Sequence, residues 1–248
     1  MASAVKKALP EPVKRGLRAV RNAVRAAALH GDRVECPVCE GRFRRFLPVR
    51  GRPEGRCPKC DSVERHRAAW LILNRSTNLF TDRLRVLHVA PEPGLERRLR
   101  AASNLTYTTG DLFIRGVDMV LDLTAIDAPD QSFDVVLASH VLEHIPDDGC
   151  AMREIRRVLA PGGWAFLVVP FDPDRQVTYE DPSITTEEGR KAAFGQEDHV
   201  RWYAGEDFEK RLERAGFSVE RVEVDAPAER ARFVLDGNGV ADLAVICR

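Results

Sequence analysis

Short apolar runs alternate with longer stretches of mixed polarity along most of the chain. Runs rich in apolar residues predict strands, and those that are almost continuously apolar predict strands buried on both faces of a sheet. They lie at residues 84–89, 105–109, 119–121, 133–138, 164–169, 217–224 and 240–247, and helical patterns occupy 94–102, 147–159 and 206–215. This alternation predicts an α/β fold, a Rossmann-like doubly wound sheet that is mostly parallel. No helical pattern separates the last two runs, which predicts an antiparallel hairpin at the sheet edge.

The front of the chain has a different pattern. Apolar residues recur there at spacings of three and four with basic residues between them, which predicts a basic amphipathic helix. The apolar positions are Val13, Leu17, Val20 and Val24. Residues 34–66 hold two cysteine pairs and few apolar side chains, and residues 68–80 predict a linking helix. We therefore expect a basic helix over 1–33, a small cysteine-bearing module over 34–67 and the α/β domain over 68–248.

The formal net charge of zero hides an uneven distribution. Residues 1–67 contain 17 Lys and Arg against 7 Asp and Glu, a surplus of +10. Such a surplus predicts either contact with phosphates, on a nucleic acid, a membrane or a nucleotide-linked substrate, or a helix that only aids solubility. No apolar run approaches the roughly 20 residues that cross a bilayer, and no secretory signal pattern is present. We expect a cytoplasmic protein.

Four of the six cysteines form two C-x-x-C pairs, Cys36 with Cys39 and Cys57 with Cys60, separated by 17 residues. In a reducing compartment, pairs at this spacing predict metal ligands before disulfides. Two turns that each present two thiolates close a tetrahedral zinc site with no open position, which is a structural site. The alternative is four ordinary buried cysteines.

Two motifs mark the α/β domain. The first is Ser-Phe-Asp-Val-Val-Leu-Ala-Ser-His-Val-Leu-Glu-His-Ile over 132–145, and the second is Met-Arg-Glu-Ile-Arg-Arg-Val-Leu-Ala-Pro-Gly-Gly-Trp over 152–164. Together with the strand pattern from 84 to 247, they resemble class I S-adenosylmethionine-dependent methyltransferases of the small-molecule type. The resemblance implies the fold and the cofactor, S-adenosylmethionine, but not the acceptor. Residues 194–203 and the four-cysteine module resemble a narrower set of such proteins.

Ligands of open α/β sheets bind beyond the carboxyl ends of the strands. Asp111 follows the second strand, 21 residues after Ala90, which is an offset suited to binding the ribose hydroxyls. The resemblance places Asp122 and Leu123 beside the adenine. The expected cofactor-binding residues are His88, Ala90, Pro91, Glu92, Gly94, Asp111, Leu112, Asp122, Leu123, Ser139 and His140. The alternative for the two acids is a helix cap or a turn.

The first loop departs from the family pattern, in which an acid is followed by Gly-x-Gly-x-Gly. His88 replaces the acid, and Ala90 and Glu92 replace the first two glycines, so that only Gly94 remains. Glycine in this loop permits left-handed dihedrals and close approach to a ligand. We expect the prolines at 91 and 93 to hold the loop instead.

A hydroxyl acceptor favours a histidine as general base. His199 is the preferred candidate because it lies in the long insert after the fifth strand, where such folds build the acceptor side. We expect residues 175–203 to form that wall, with His199 facing the sulfonium methyl. His144 is the second candidate. The alternative for His140 and His144 is that one packs on the cofactor and the other caps a helix.

Three functions stay open on the sequence. The first is methylation of an oxygen or nitrogen of a small molecule or a glycan, including a lipid-linked one. The second is RNA methylation, with the basic front as the nucleic-acid grip, but Phe43 and Phe46 are the module's only aromatics and offer no obvious stacking platform. The third, which the altered first loop favours, is a noncatalytic binding protein on a methyltransferase fold.

Overall fold

The computed structural model describes residues 11–49, 51–236 and 241–248. These residues form two compact units. The described residues of the first unit fall within 11–71, 93–95 and 224–236, and those of the second within 72–92, 96–223 and 241–248. The three-part division expected at residues 33 and 67 stays a prediction.

The first unit begins with a helix and two hairpins. They are α1 (Glu11–Ala28), β1 (His30–Cys36), β2 (Gly41–Phe43), β3 (Leu47–Val49) and β4 (Arg52–Arg56), followed by α2 (Glu64–Ser76). β1 pairs antiparallel with β2, and β3 pairs antiparallel with β4. The helix predicted over 1–33 therefore ends at Ala28, and residues 1–10 lie outside the described part. No helix among the described residues is long and apolar enough to cross a membrane.

The remaining elements follow in regular alternation. They are β5 (Leu84–Val89), α3 (Pro93–Arg100), β6 (Leu105–Asp111), β7 (Met119–Val120), β8 (Phe133–Ser139), α4 (Asp148–Val158), β9 (Leu159–Asp172), β10 (Tyr179–Glu180), α5 (Glu187–Phe194), β11 (Arg201–Ala204), α6 (Gly205–Arg214), β12 (Val219–Arg221), α7 (Pro227–Phe233) and β13 (Ala241–Cys247). Each predicted strand and helix of the α/β domain is present, with ends that differ by a few residues.

The second unit is built on one mixed sheet. β7, β6, β5, β8 and β9 lie side by side in that order and are parallel. β13 pairs antiparallel with β9, and β12 pairs antiparallel with β13. The chain therefore builds outward from β5 in one direction and from β8 in the other, so the strand order reverses between them. The predicted Rossmann-like α/β fold with an antiparallel edge is confirmed.

Apolar side chains of the central strands and two helices form the core of this unit. Val136, Leu167 and Val245, on three neighbouring strands, are 0% exposed. Met152 of α4 and Phe208 of α6 are equally buried and belong to the same cluster. Burying a side chain of this size contributes about 1.5–3 kcal/mol to the free energy of unfolding. This packing holds the central strands in place.

α7 corrects one expectation about the sheet edge. β12 and β13 pair as a hairpin does, but a helix lies in the connection that was expected to lack one. The sequence gives little sign of it because seven residues carry no apolar stripe. Arg67, which is 0% exposed, donates hydrogen bonds to Phe233 O (2.7 Å) and Val234 O (2.6 Å), where the helix ends. These bonds satisfy terminal carbonyls that the helix leaves unpaired.

Candidate active site and cysteine cluster

The four paired cysteines meet at one place in the first unit. Cys36 Sγ lies 3.6 Å from Cys60 Sγ, and Cys39 Sγ lies 3.6 Å from Cys57 Sγ. All four sulfurs lie within 4.8 Å of one another. Tetrahedral Zn–S bonds of about 2.3 Å place sulfurs about 3.8 Å apart. The donor set and its spacing therefore fit zinc.

Two turns of like conformation present these sulfurs. Glu40 N donates to Cys36 O (2.8 Å) in the first turn, and Asp61 N donates to Cys57 O (3.1 Å) in the second. The residue that ends each turn has a left-handed backbone, with φ of 58° at Glu40 and 62° at Asp61. The two C-x-x-C pairs are thus local copies of one structure, as expected for two halves of a closed metal site.

Four thiols this close cannot all ionise without a cation. The pKa of Cys57 is raised, above all by the neighbouring Cys36 sulfur. Burial acts to raise the pKa of Cys36, but its hydrogen-bonding neighbours outweigh burial and hold that pKa well below its usual value. Arg67 adds a buried positive charge close enough to interact with these sulfurs. A divalent cation, together with Arg67, would offset the negative charge of the four thiolates.

The carboxyl ends of β5 and β8 lie where the strand order reverses. Open α/β sheets form their ligand-binding crevice at such a point, and we call this region of the second unit the crevice. The residue after each strand is left-handed, with φ of 48° at Ala90 and 55° at His140. Ala90 N donates to Gly110 O (2.9 Å), and His140 N donates to Val168 O (2.8 Å). Ser139, the last residue of β8, is half-buried. Ala90 therefore keeps the conformation for which glycine is favoured, although glycine itself is absent.

His88 has a structural partner on each ring nitrogen. Its Nδ1 is hydrogen-bonded to the Tyr107 hydroxyl (2.7 Å), and its Nε2 to Glu92 Oε2 (2.9 Å). The imidazole is 2% exposed. His88 and Glu92, which replace the family's acid and second glycine, thus form one hydrogen-bonded pair that fixes the first loop to β6.

Two further positions of the first loop, Pro91 and Gly94, are closely packed. Pro91 is buried. Gly94, in the first unit, has the backbone of Cys60 beside it, and a Cβ there would lie 3.3 Å from Cys60 O. This close approach gives a packing reason for glycine at that position.

Asp111 and Asp122 lie at or just after the carboxyl ends of the second and third strands of the α/β unit. Asp111 Oδ1 accepts hydrogen bonds from the backbone nitrogens of Phe113 and Ile114, both at 2.6 Å. Asp122 Oδ1 accepts from Thr124 Oγ1 (2.7 Å) and N (2.8 Å), and these bonds lower the pKa of Asp122. Each acid therefore uses one oxygen in a turn, which leaves the ribose and adenine assignments as predictions.

Large apolar side chains stand exposed beside these acids. They are Leu112 (47% exposed), Phe113 (87%), Ile114 (52%) and Val120 (76%). Asp111 pairs with Val120 in the register of β6 and β7, so this apolar group borders both strand ends. Only Leu112 is predicted from the sequence, although three consecutive apolar residues after a strand-end acid are a signal for Phe113 and Ile114 as well. Leu123, by contrast, is buried in the core.

Glu143, His144 and His199 form a compact cluster on the other side of the crevice. Glu143 and His144 lie in the short 3₁₀ turn Leu142–His144 that follows β8. One donor atom from each of the three lies within 4.8 Å of the others. Glu143 is 0% and His199 1% exposed, and the His144 and His199 rings meet edge to face at 4.8 Å. Burial lowers the pKa of His199, which favours the neutral form of its ring.

Further carboxylates and an imidazole surround this cluster. His140 Nδ1 lies 3.3 Å from Glu143 Oε1, and His140 Nε2 lies 3.1 Å from Asp242 Oδ1. On the other side, His144 Nδ1 lies 3.4 Å from Asp198 Oδ2. His140 therefore links two carboxylates, and Asp198 faces His144 rather than its sequence neighbour.

The insert over residues 175–203 is fastened to the turn after β8. Arg201, 3% exposed, donates from Nη2 to Pro146 O (2.9 Å). Val200 N donates to Glu143 O (2.9 Å). These bonds place His199 against the cluster, so the expected proximity of His199 to the carboxyl end of the fourth strand of the α/β unit is present. Its catalytic role stays a prediction.

A profile of the family described as a methyltransferase domain matches residues 60–222, more than half of the chain. The chain belongs to the methyltransferase domain family. The matched part of this methyltransferase family member includes both left-handed turns of the crevice and the Glu143–His144–His199 cluster.

Known proteins resemble this family member in part. The 27-O-demethylrifamycin SV methyltransferase of Amycolatopsis mediterranei is 38% identical over 79 residues, 30% of this chain and 29% of that protein. The chain spans less than half of the length of the curated relatives it matches.

Two crystal structures share the methyltransferase fold seen here. The S-adenosylmethionine-dependent methyltransferase of Mesorhizobium loti superposes with a TM-score of 0.53 at 19% identity, over 72% of this chain and 96% of that chain. The [4+2]-cyclase SpnF gives a TM-score of 0.53 at 16% identity, over 95% of both chains. These likenesses establish the fold, and the cyclase illustrates that the fold alone does not fix the reaction.

Proposed function

We propose that the protein is an S-adenosylmethionine-dependent methyltransferase that methylates an oxygen or nitrogen of a small molecule or a glycan. The observation that carries the proposal is the crevice, where Ala90 and His140 both turn left-handed at the switch point of the sheet. A non-glycine residue in this conformation costs of the order of 1–2 kcal/mol. Two such residues at the ends of adjacent strands mark a site shaped for a ligand.

The cofactor supplies an activated methyl group on a sulfonium. The protein therefore has to bind the cofactor and the acceptor, orient them towards each other and exclude water. The second oxygen of Asp111 is available in this proposal for the ribose hydroxyls, because the turn uses Oδ1. Phe113 and Val120 provide apolar cover for the adenine, beside Asp122. The first loop, fixed by His88 and Glu92, borders the methionine part of the cofactor.

The acceptor side is the Glu143–His144–His199 cluster together with the insert. A neutral, buried His199 is suited to accept a proton from a hydroxyl acceptor, and Glu143 stabilises the imidazolium that results. His144, whose side chain is 32% exposed, is the alternative base. For an acceptor nitrogen that reacts as the free amine, the same groups orient the nucleophile.

The four cysteines bind a structural zinc in this proposal. The four-sulfur spacing supports it, and the closed donor set leaves no position for a substrate. The zinc stabilises the first unit by joining its two cysteine turns.

α1 supports a lipid-linked acceptor over a nucleic acid. Asn22 packs α1 on the second cysteine turn, where its Nδ2 donates to Asp61 Oδ2 (2.7 Å). The stripe formed by Val13, Leu17, Val20 and Val24 stays 44–65% exposed. A basic helix with an exposed apolar stripe is typical of helices that lie in the interface of an anionic membrane. Nucleic-acid binding uses the cations but not this stripe.

Phe43 and Phe46 further disfavour RNA as the acceptor. Both side chains are buried, at 2% and 0% exposed, and their rings lie 6.1 Å apart. Buried rings cannot stack on bases, so the cysteine module offers no stacking platform in its described part. Noncatalytic binding is the remaining alternative, and the hydrogen-bonded first loop of His88 and Glu92 is the feature that favours it.

Labelled methyl transfer tests the proposal. The protein is incubated with S-adenosylmethionine carrying a radioactive methyl group and with cell extract, which is then separated into polar metabolites, lipids and RNA. Label in the metabolite or lipid fraction that survives nuclease is expected. Label confined to nuclease-sensitive material supports RNA methylation, and cofactor binding without any transfer supports the noncatalytic alternative.

Vesicle flotation tests whether α1 binds an anionic membrane, as a lipid-linked acceptor would favour. The zinc-loaded protein should float with vesicles that contain anionic lipid and remain behind with neutral ones. Leu17→Glu together with Val20→Glu should abolish flotation and leave the zinc content unchanged. Equal flotation of the wild-type protein and this variant would contradict the role given to the stripe.

A further inference from the structure

Glu143 and His199 are buried polar side chains without hydrogen bonds. Among the described residues, no group forms a hydrogen bond with either carboxylate oxygen of Glu143 or with either ring nitrogen of His199. Both side chains are at least 99% buried. Leaving a buried polar atom without a hydrogen-bond partner is energetically costly. Because the two nitrogens of an imidazole point in opposite directions, one nitrogen of His199 and one oxygen of Glu143 can face a single ligand, and these unsatisfied atoms indicate such a ligand.

The chemistry of the cluster narrows the ligand to a cation. Two imidazoles and one carboxylate, from His144, His199 and Glu143, are the donors that hold zinc, iron or manganese in three-ligand sites with open positions. An uncharged ligand would leave the buried Glu143 carboxylate with no more charge compensation than the His140 imidazole at 3.3 Å provides, which is costly. His140 Nδ1 approaches Glu143 at 3.3 Å without forming a hydrogen bond.

We propose that Glu143, His144 and His199 bind a divalent transition-metal ion, at a second metal site distinct from the four cysteines. The three donor atoms lie within 4.8 Å of one another. Metal–ligand bonds of about 2.1 Å in a tetrahedral arrangement bring donors to about 3.4 Å. Rotations that move side-chain tips by about an ångström close this difference.

The surroundings of the cluster fit the same assignment. The Asp198 carboxylate lies 3.4 Å from His144 Nδ1, and a carboxylate on one ring nitrogen fixes an imidazole whose other nitrogen binds a metal. On the opposite side, Asp242, His140 and Glu143 lie in a row with contacts of 3.1 and 3.3 Å, which holds the carboxylate in place. Val200 N fixes the backbone of Glu143 and places His199 next to it.

Three protein ligands leave at least one coordination position for another molecule. Resting on the proposed function, that molecule is an acceptor with a hydroxyl group, whose oxygen would occupy the open position. The metal would lower the pKa of this hydroxyl, so that its proton could pass to water. His199 is then a metal ligand and no longer the base. The metal site itself does not depend on methyl transfer, because it is defined by the side chains alone.

Metal titration of the full-length protein tests the site. The protein is purified with zinc on its cysteines and titrated with Co²⁺, without cofactor, by calorimetry and absorbance. One further equivalent is expected, with visible bands but without the thiolate charge-transfer absorption of a cysteine site. Glu143→Gln and His199→Asn should each weaken this binding by about 10- to 100-fold, with the cysteine-bound zinc retained. His30→Asn changes an exposed histidine outside the cluster and is the matched control.

Each result of the cobalt titration either supports or overturns the proposed metal site. Absence of a second equivalent in the wild-type protein overturns the proposal, as does a second equivalent that Glu143→Gln and His199→Asn bind as tightly as the control. If those variants do not fold, His144→Asn replaces them, because its side chain is 32% exposed and tolerates change. A second metal in a protein that transfers no methyl group refutes the proposed function and leaves the metal site standing.

Discussion

Two clusters of side chains with metal-ligand chemistry in this protein differ in how completely their donor atoms are used. Cys36, Cys39, Cys57 and Cys60 form a closed set of four sulfurs on two matching turns. Glu143, His144 and His199 form an open set of three, with unsatisfied atoms that point to a further ligand. A closed set stabilises a fold, whereas an open set leaves room for chemistry.

Left-handed residues repeat this contrast. Glu40 and Asp61 end the cysteine turns, and Ala90 and His140 end the two central strands. In the first unit the strained residues come with a complete donor set. In the crevice the strained residues lie near half-buried polar groups and near the Glu143 and His199 atoms that have no hydrogen-bond partner. This is expected at a site where a ligand would supply the partner. On this contrast, the first unit owes its stability to a metal ion, and the second unit owes the shape of its crevice to the binding of ligands.

The largest effect is expected from Cys57→Ser. Loss of one thiolate should release the zinc, whose binding in such sites is worth about 10–16 kcal/mol, and should unfold the first unit. Metal analysis and limited proteolysis measure this. Cys150→Ser, at a partly exposed cysteine outside the cluster, should keep the zinc. Zinc retained in full by Cys57→Ser would show that the cysteines are not its ligands.

Two buried arginines give a matched pair of intermediate effect. Arg67→Met removes the donors for Gly55 O, Ser62 O and the end of α7, and should lower the free energy of unfolding by about 3 kcal/mol. Arg201→Met removes the donor that fastens the insert and should cost about 2 kcal/mol.

The two arginine variants should also differ in what they damage. Hydrogen exchange should show faster opening around the cysteine turns for Arg67→Met, and around residues 175–203 for Arg201→Met. The same exchange pattern in both variants would contradict the division into two differently stabilised units.

A smaller effect of opposite sign is expected from Ala90→Gly. Glycine adopts a φ of 48° without strain, so the substitution should raise the free energy of unfolding by about 0.5–1 kcal/mol after the extra entropy of the unfolded chain is counted. Denaturant unfolding measures this. Glu40→Gly also places glycine at a left-handed residue, but in the first unit, and is the control for the effect of relieving backbone strain. A destabilised Ala90→Gly variant would mean that the alanine methyl packs usefully.

The smallest effect is expected from Phe113→Ser. The ring is 87% exposed, so the stability of the free protein should change by less than about 0.5 kcal/mol. Cofactor affinity should fall about fivefold if the ring covers the adenine, because part of a buried aromatic surface is lost. Scanning calorimetry measures the stability of the free protein, and titration calorimetry measures its affinity for the cofactor. An unchanged affinity would remove Phe113 from the cofactor site.

The sequence predicted those features that depend on local pattern or fixed spacing. Continuous apolar runs located the strands, and the C-x-x-C pairs located the four sulfurs that meet in the first unit. α7 escaped prediction because its end is capped by Arg67, 166 residues away in sequence from Phe233. The unsatisfied atoms of Glu143 and His199 were equally invisible, since burial and the lack of a partner are properties of the folded chain.

The first loop shows the same limit within one motif. Replacement of glycine by Ala90 suggested a changed backbone, yet the left-handed turn is kept. The hydrogen bonds of His88 with Tyr107 and Glu92 are made across two strands and a loop. Sequence spacing alone does not determine such contacts.

Calorimetric titration with S-adenosylhomocysteine, the demethylated product, tests the central claim most directly. The account predicts one binding site per chain in the zinc-loaded protein. It also predicts about tenfold weaker binding to Asp111→Asn, a variant that keeps the Oδ1 acceptor of the turn but loses the charge facing the ribose. No binding at millimolar ligand, or equal binding to the wild-type protein and the variant, would contradict the assignment of the crevice as a cofactor site anchored by Asp111.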